Sequence, residues 1–158
     1  TTAMKVAESI EAMEGGVTEL DVVMNYSRLL SGDVDYVTKE IQALVDVAHA
    51  RGAIVKVIFE NCYLTDELKK EACRICTACG ADFVKTSTGF GTSGATVDDI
   101  LLMRDASGSN VKVKAAGGVR DLDAALAMRK AGADRIGATA TRAIMEEAIR
   151  REQAGTLD

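Results

Sequence analysis

The chain has 158 residues, 47% hydrophobic and 27% charged, and carries a formal net charge of −5. A chain of this length buries roughly 70% of its unfolded surface, so a single domain with a sizeable core is expected rather than a disordered segment. The acidic balance argues weakly against nonspecific binding to nucleic acid or anionic membrane. No apolar run has the length of a membrane span and no charged-then-apolar leader is visible, so a cytoplasmic protein is expected.

The first amphipathic segment, at roughly residues 2–14, ends in a glycine pair before the strand-like "VTELDVVMN". A second, at roughly 33–50, ends in "ARG" before "AIVKVIFE". Thr65 is a plausible N-cap for a third at about 66–79, which ends at Gly80 before "ADFVKTS". Thr96 and Asp99 resemble a capping box, with Asp in place of Glu, at the start of a helix at about 97–106. The loop "SGSN" then leads to "VKVKAAGG". Asp121 is a plausible cap for a helix at about 121–131; "KAGADRIGA" and a last helix at about 140–152 complete the chain. Glycine just past a helix end takes the left-handed conformation without steric cost, and four of the joins have it. The runs between are short, apolar and rich in Val and Ile, as parallel strands covered on both faces are.

Strict alternation of helix and strand leaves an open doubly wound sheet or part of a (β/α)8 barrel. Five strands suit a flavodoxin-like sheet, and barrels need more than about 200 residues, so the strand contents must decide. Alternate side chains of a strand share a face. Lys85 therefore goes with Phe83 and against Val84; Lys112 and Lys114 go together, as do Lys56, Ile58 and Glu60, and Glu19, Asp21, Val23 and Asn25. Four successive strands thus put acids and amines on one side. Structural ion pairs, such as Asp21 with Lys114 or Glu60 with Lys56, are the plain explanation, but buried pairs are weak evidence for stability. Lys85 and Lys114 on neighbouring strands would lie about 5 Å apart, and two ammonium groups that close repel each other. One then loses its proton near neutral pH, helped by desolvation, and becomes a nucleophile able to form a Schiff base with a carbonyl.

"KAAGGVR" and "RIGATAT" each place glycine at a strand end just before a helix N-terminus, where backbone amides favour anions. Beside two lysines, they make a phosphorylated carbonyl compound the preferred substrate class.

Four cysteines offer another chemistry. Cys73, Cys76 and Cys79 have the C-x2-C-x2-C spacing of an iron–sulfur ligand run, with Cys62 upstream as a distant fourth. They also recur with Leu68, Ala72 and Ile75 at helical intervals, an apolar stripe in which cysteine is a small hydrophobe, and that reading is the stronger. His49, the sole histidine, falls at a helix end, and Tyr26, Tyr36 and Tyr63 have no evident partner.

In order along the chain, "ELDVVMN", "VKVIFE", "DFVKTSTGF", "VKAAGGVR" and "RIGATA" resemble the motifs of the deoxyribose-phosphate aldolase family, and "TTAMKVAESI" resembles the helix preceding the first of them. The resemblance implies an α/β fold, a parallel (β/α)8 TIM barrel present in part, with about five β/α units and the N-terminal strands missing. It implies a class I aldolase without cofactor or metal, which cleaves 2-deoxy-D-ribose 5-phosphate reversibly to acetaldehyde and D-glyceraldehyde 3-phosphate. Carried over by motif, Lys85 is the Schiff-base lysine, Lys114 depresses its pKa and joins the proton relay, and Asp21 is the acid working with it. Lys56 matches a further inward lysine near the site. Thr88, Gly89, Gly117, Gly118, Gly137 and Thr139 fall in the loops that hold the substrate, the later ones around its phosphate.

Two departures from the family pattern stand out. Thr139 and Ala140 occupy positions where two serines are common, and the family has three further strands before "TTAMKV". The chain is therefore expected to be a fragment or truncated product whose open sheet edges are covered by another copy of the chain or by an N-terminal segment. A catalytically impaired barrel, another phosphosugar enzyme and a metal-binding module on the cysteines are the alternatives.

Overall fold

The computed structural model describes residues 1–157, in which seven helices alternate with five strands. The strands are β1 (Glu19–Val23), β2 (Ile54–Ile58), β3 (Phe83–Lys85), β4 (Lys112–Ala116) and β5 (Arg135–Gly137). The helices are α1 (Thr2–Glu14), α2 (Tyr26–Leu30), α3 (Val34–His49), α4 (Asp66–Cys79), α5 (Val97–Ala106), α6 (Leu122–Lys130) and α7 (Thr141–Gln153).

All strands are parallel, and they lie side by side in chain order, β1-β2-β3-β4-β5. A flavodoxin-like sheet would place β1 between its second and third strands, so that alternative fails on order alone. The sheet also curls. In a flat sheet β1 and β5 would be roughly 19 Å apart, four strand spacings. Here Arg135 on β5 reaches Glu19 on β1 at 2.5 Å, and Lys114 on β4 reaches Asp21 on β1 at 3.4 Å. Side chains meeting across the concave face in this way require the curvature of a barrel wall.

The strand parity read from the sequence holds. Val55, Val57, Val84, Val113 and Ala115 join the layer between sheet and helices, where they pack with Ile41, Val45, Ala72, Ile100 and Met103. Phe83, Lys85 and Lys114 go to the concave side, where the guanidinium of Arg135 lies 4.8 Å and the amine of Lys112 5.7 Å from the Phe83 ring.

Side-chain caps begin most helices: Thr1, Asn25, Asp33, Thr65, Thr96 and Asp121 each accept a bond from a first-turn amide. The capping box at Thr96 is only half formed. Thr96 Oγ1 accepts from the Asp99 amide at 3.1 Å, but the Asp99 carboxylate pairs instead with Lys69 at 2.7 Å. Aspartate is one methylene shorter than the glutamate of a full box, and the lysine on α4 is a stronger partner. Helix α7 starts at Ala140 with no side-chain cap at all.

Cys73, Cys76 and Cys79 are buried on the inner face of α4, within the apolar layer. Burial raises all three thiols, Cys73 to about 11, whereas metal ligation needs the thiolate. No group of three or more His, Cys, Asp or Glu side chains converges to hold a metal among the described residues. The metal-module alternative is overturned, because the three thiols lie along one buried helix face, Cys73 and Cys79 turned to the carbonyls of Met103 and Thr38, while Cys62 stands on the turn after β2. The unassigned aromatics do have partners. Tyr26 stacks on Tyr63 with centroids 5.3 Å apart, and Arg28 lies over Tyr36 at 4.8 Å.

Candidate active site

Polar side chains gather on the concave face toward the C-terminal ends of the strands, the end where barrels carry their chemistry. Lys85 is the last residue of β3 and sits directly opposite Lys114 on β4; Asp21 on β1 sits opposite Lys56 on β2. One carboxylate serves all three amines. Asp21 Oδ2 is 3.7 Å from Lys85 Nζ and 3.4 Å from Lys114 Nζ, and Oδ1 is 3.8 Å from Lys56 Nζ.

The strand bearing Asp21 is itself clamped. Lys5 on α1 donates to the carbonyl of Val23 at 2.7 Å and lies 3.0 Å from Glu40 on α3, whose other oxygen accepts from the Asn25 amide at 2.8 Å. Glu40 is fully buried, so it needs these partners.

The Lys85 ammonium is pushed below the ordinary lysine range, first by burial and then by the charge of Lys114, with Lys56 adding less; Asp21 opposes the shift. Crowding by Lys114, the cause expected from the strand parity, comes second among the causes that lower it. Burial is the larger cause because Lys85, only 8% exposed as a residue, lies within the curled sheet.

Lys56 is held lower in the barrel than expected of a substrate ligand. Its amine pairs with Glu19 at 2.9 Å, and Glu19 is lowered to about 2 by its bonds to Lys56 and Arg135. The anticipated pair of Lys56 with Glu60 does not form. Residues four apart on a strand are roughly 13 Å from each other, and Glu60 bonds Thr88 instead.

Lys85, Thr88, Gly89, Lys114, Gly117, Gly118, Gly137 and Thr139 line one cleft of about 370 Å³; Asp21 and Lys56 lie beside the amines but outside its wall. Gly89, Gly117 and Gly118 have φ of 96°, 81° and 80°, where a side chain would be strained. The β3–α5 and β4–α6 loops meet backbone to backbone. The Ala95 amide donates to the carbonyls of Ala116 and Gly117, and a Cβ on Gly94 would fall 2.3 Å from the Gly117 carbonyl. Beyond Thr139 the cleft ends at the uncapped start of α7, which has no acidic residue in its first turn.

Two residues at the cleft were not among the site residues expected from the sequence. Arg120 lines the cleft and makes no salt bridge among the described residues; its place just after the double glycine was the available signal. Glu60 binds the cleft residue Thr88 from an unusual backbone conformation, for which the sequence holds no signal.

Comparison with known proteins agrees with this arrangement. Residues 1–147 match the DeoC/LacD family aldolase profile. The chain is 55% identical over 155 residues to a deoxyribose-phosphate aldolase of Rhodopirellula baltica, covering 98% of this chain and 64% of that one, so it spans less than two thirds of that relative's length. Among solved structures, an aldolase designated QR15 superposes with a TM-score of 0.90 at 42% identity, covering 98% of this chain and 69% of its own. A tetrameric deoxyribose phosphate aldolase from Aeropyrum pernix gives 0.84 at 33% identity, covering 93% of this chain and 62% of its own. With five parallel strands in barrel order and a family match across nearly its whole length, the chain belongs to the DeoC/LacD family of aldolases.

Proposed function

We propose that this protein is a Schiff-base aldolase that cleaves 2-deoxy-D-ribose 5-phosphate reversibly to acetaldehyde and D-glyceraldehyde 3-phosphate, the activity for which its relatives are named. The observation that carries the reading is the buried Lys85 amine, lowered in pKa and set at a strand end between Asp21 and Lys114.

Neutral Lys85 attacks the C1 aldehyde of the open-chain sugar, and loss of water gives the protonated imine. Acetaldehyde holds two carbons, so the bond that breaks is C2–C3. A base takes the C3 hydroxyl proton, the C2–C3 electron pair flows into the imine to leave an enamine on Lys85, and C3 becomes the aldehyde carbon of glyceraldehyde 3-phosphate. Protonation of the enamine at C2 and hydrolysis of the imine release acetaldehyde and restore the amine. Asp21 and Lys114, 3.4 Å apart, can hold and pass these protons, directly or through water. Lys56 keeps the second oxygen of Asp21 occupied from below, a positioning part.

The phosphate belongs at the far end of the cleft. Gly117, Gly118 and Gly137 leave backbone amides accessible, Thr139 adds a hydroxyl, and the free amides opening α7 favour an anion. Arg120 supplies a fixed positive charge there. Ala140 offers no hydroxyl, so this phosphate site leans on backbone donors.

Association between copies is part of the same proposal. It is supported by the open outer edges of β1 and β5 and by the tetrameric Aeropyrum relative. No helix among the described residues is long and apolar enough to cross a membrane, which is compatible with a cytoplasmic setting.

Borohydride reduction in the presence of acetaldehyde is the test. An ethyl group is expected on Lys85 in peptide mapping and should be missing in Lys85→Leu. An adduct on Lys114 would reverse the two lysine roles, and a folded protein that traps nothing would refute the proposal.

A further inference from the structure

Glu60 is the only non-glycine residue with positive φ among the described residues, at φ 57° and ψ 62°. Such a conformation persists where its surroundings over-determine it, and it concentrates at functional sites. The chain on both sides of it is tied to the extension of β3. Phe59 donates to the carbonyl of Lys85 at 3.0 Å and Asn61 to that of Thr86 at 2.9 Å. The side chain is buried, and no cation reaches its carboxylate among the described residues. Both oxygens instead serve Thr88. Oε1 accepts from the Thr88 amide at 3.2 Å, and Oε2 accepts from the Thr88 hydroxyl.

A hydroxyl has one proton and two acceptor positions. The Thr88 proton is committed to Glu60, and one acceptor position is filled by the Phe90 amide at 3.0 Å. One lone pair remains, on a residue that lines the cleft between Lys85 and the glycine loops. An oxygen in this state can accept a hydrogen bond but cannot give one. Phosphate oxygens only accept, so Thr88 is mismatched to them; a sugar hydroxyl is a donor and fits.

We infer that Glu60 is a positioning residue that fixes the Thr88 hydroxyl as an acceptor, and thereby selects substrates with a hydroxyl next to the phosphate-bearing carbon. In the condensation direction that is the hydroxyl beside the carbonyl of glyceraldehyde 3-phosphate. The inference rests on the aldolase reading above and adds a determinant of specificity to it.

Glu60→Gln separates polarity from shape. The Thr88 amide can be met only by the new amide oxygen, so the amide nitrogen must face the Thr88 oxygen. It then fills the last acceptor position and turns the hydroxyl proton elsewhere. The assay is condensation of acetaldehyde with glyceraldehyde 3-phosphate and, separately, with 3-oxopropyl phosphate, which lacks the hydroxyl. The readout is the ratio of the two kcat/KM values, which a loss of folded protein leaves unchanged. The ratio is expected to fall about tenfold in Glu60→Gln and similarly in Thr88→Val, the range for one buried hydrogen-bond mismatch. An unchanged ratio in Glu60→Gln would overturn the inference, whether or not Thr88→Val lowers it. Acetaldehyde trapping on wild-type Lys85 is run alongside. Its failure would remove the aldolase reading and this inference together, whereas successful trapping with an unchanged ratio removes the inference alone.

Discussion

Replacing Gly94 by alanine tests whether the cleft depends on two loops touching through bare backbone. The added Cβ would lie 2.3 Å from both the carbonyl carbon and oxygen of Gly117, and 2.9 Å from its Cα. Carbon atoms pack comfortably at roughly 3.5–4.0 Å, so the two backbones must part by about 1 Å or more. Neither side can yield by rotating a side chain, because every atom in the clash is main chain. The movement stretches the two bonds that the Ala95 amide gives to Ala116 and Gly117 and displaces the cleft wall at Gly117 and Gly118. Overpacking of this kind costs about 1–3 kcal/mol of stability, and a 1 Å misplacement of a binding group costs on the order of 100-fold in rate. Gly94→Ala is therefore expected to lower kcat/KM for deoxyribose 5-phosphate cleavage by about 100-fold while the thermal midpoint falls by about 2–12 °C. Gly155→Ala is the control. Unlike Gly94 it carries a positive φ, of 67°, but it has nothing within 4 Å and lies beyond α7, so the substitution should cost stability through backbone strain without touching the rate. Wild-type kcat/KM in Gly94→Ala would refute the idea that this contact shapes the cleft.

Further expectations follow from the ionisable groups. The rate of acetaldehyde trapping should rise with pH through a midpoint below that of an ordinary lysine, since burial disfavours the charged amine of Lys85. Asp21→Asn removes the group that opposes the shift, so the midpoint should move lower still; a midpoint moving upward would contradict the assigned causes. The sign for stability follows: a lysine whose folded pKa is depressed disfavours folding below that pKa, and the penalty fades as pH rises toward the unfolded value. Lys85→Met should accordingly raise the melting temperature near neutral pH, an effect absent at strongly alkaline pH. With an alkylating reagent under native conditions, Cys62 should be modified while Cys73, Cys76 and Cys79 resist, as mass mapping would show; rapid labelling of all four would contradict the buried α4 stripe.

Much of this architecture was legible before any coordinates. The predicted limits of α1, α4 and α5 match the structure; Gly15 ends α1, Thr65 and Gly80 bound α4, and Thr96 opens α5, each with chemistry that acts locally. The inward parity of Asp21, Lys85 and Lys114 was readable because a strand's side-chain period is fixed. Helix α2 was missed, since five residues are too few to show a helical period. Chain length alone spoke for a doubly wound sheet, the order of the motifs implied a partial barrel, and the strand order, a property of the whole sheet, bears the barrel out. The partner of Lys56 was misjudged because Glu60 lies nearby in sequence, while Glu19 reaches it from the adjacent strand. The part played by Glu60 depends on one backbone torsion, which residue identity does not announce.

The curl of the sheet has one more outcome. It turns Lys56, Lys114 and Arg135 toward a common interior beside the Lys85 amine, where among the described residues Glu19 and Asp21 answer them, so the bowl keeps a surplus of positive potential even with Lys85 neutral. Under the proposed cleavage, uncharged acetaldehyde would feel no such pull and would diffuse away freely. Glyceraldehyde 3-phosphate would be held more tightly, and inorganic phosphate is expected to compete with it and with the phosphorylated sugar but not with acetaldehyde.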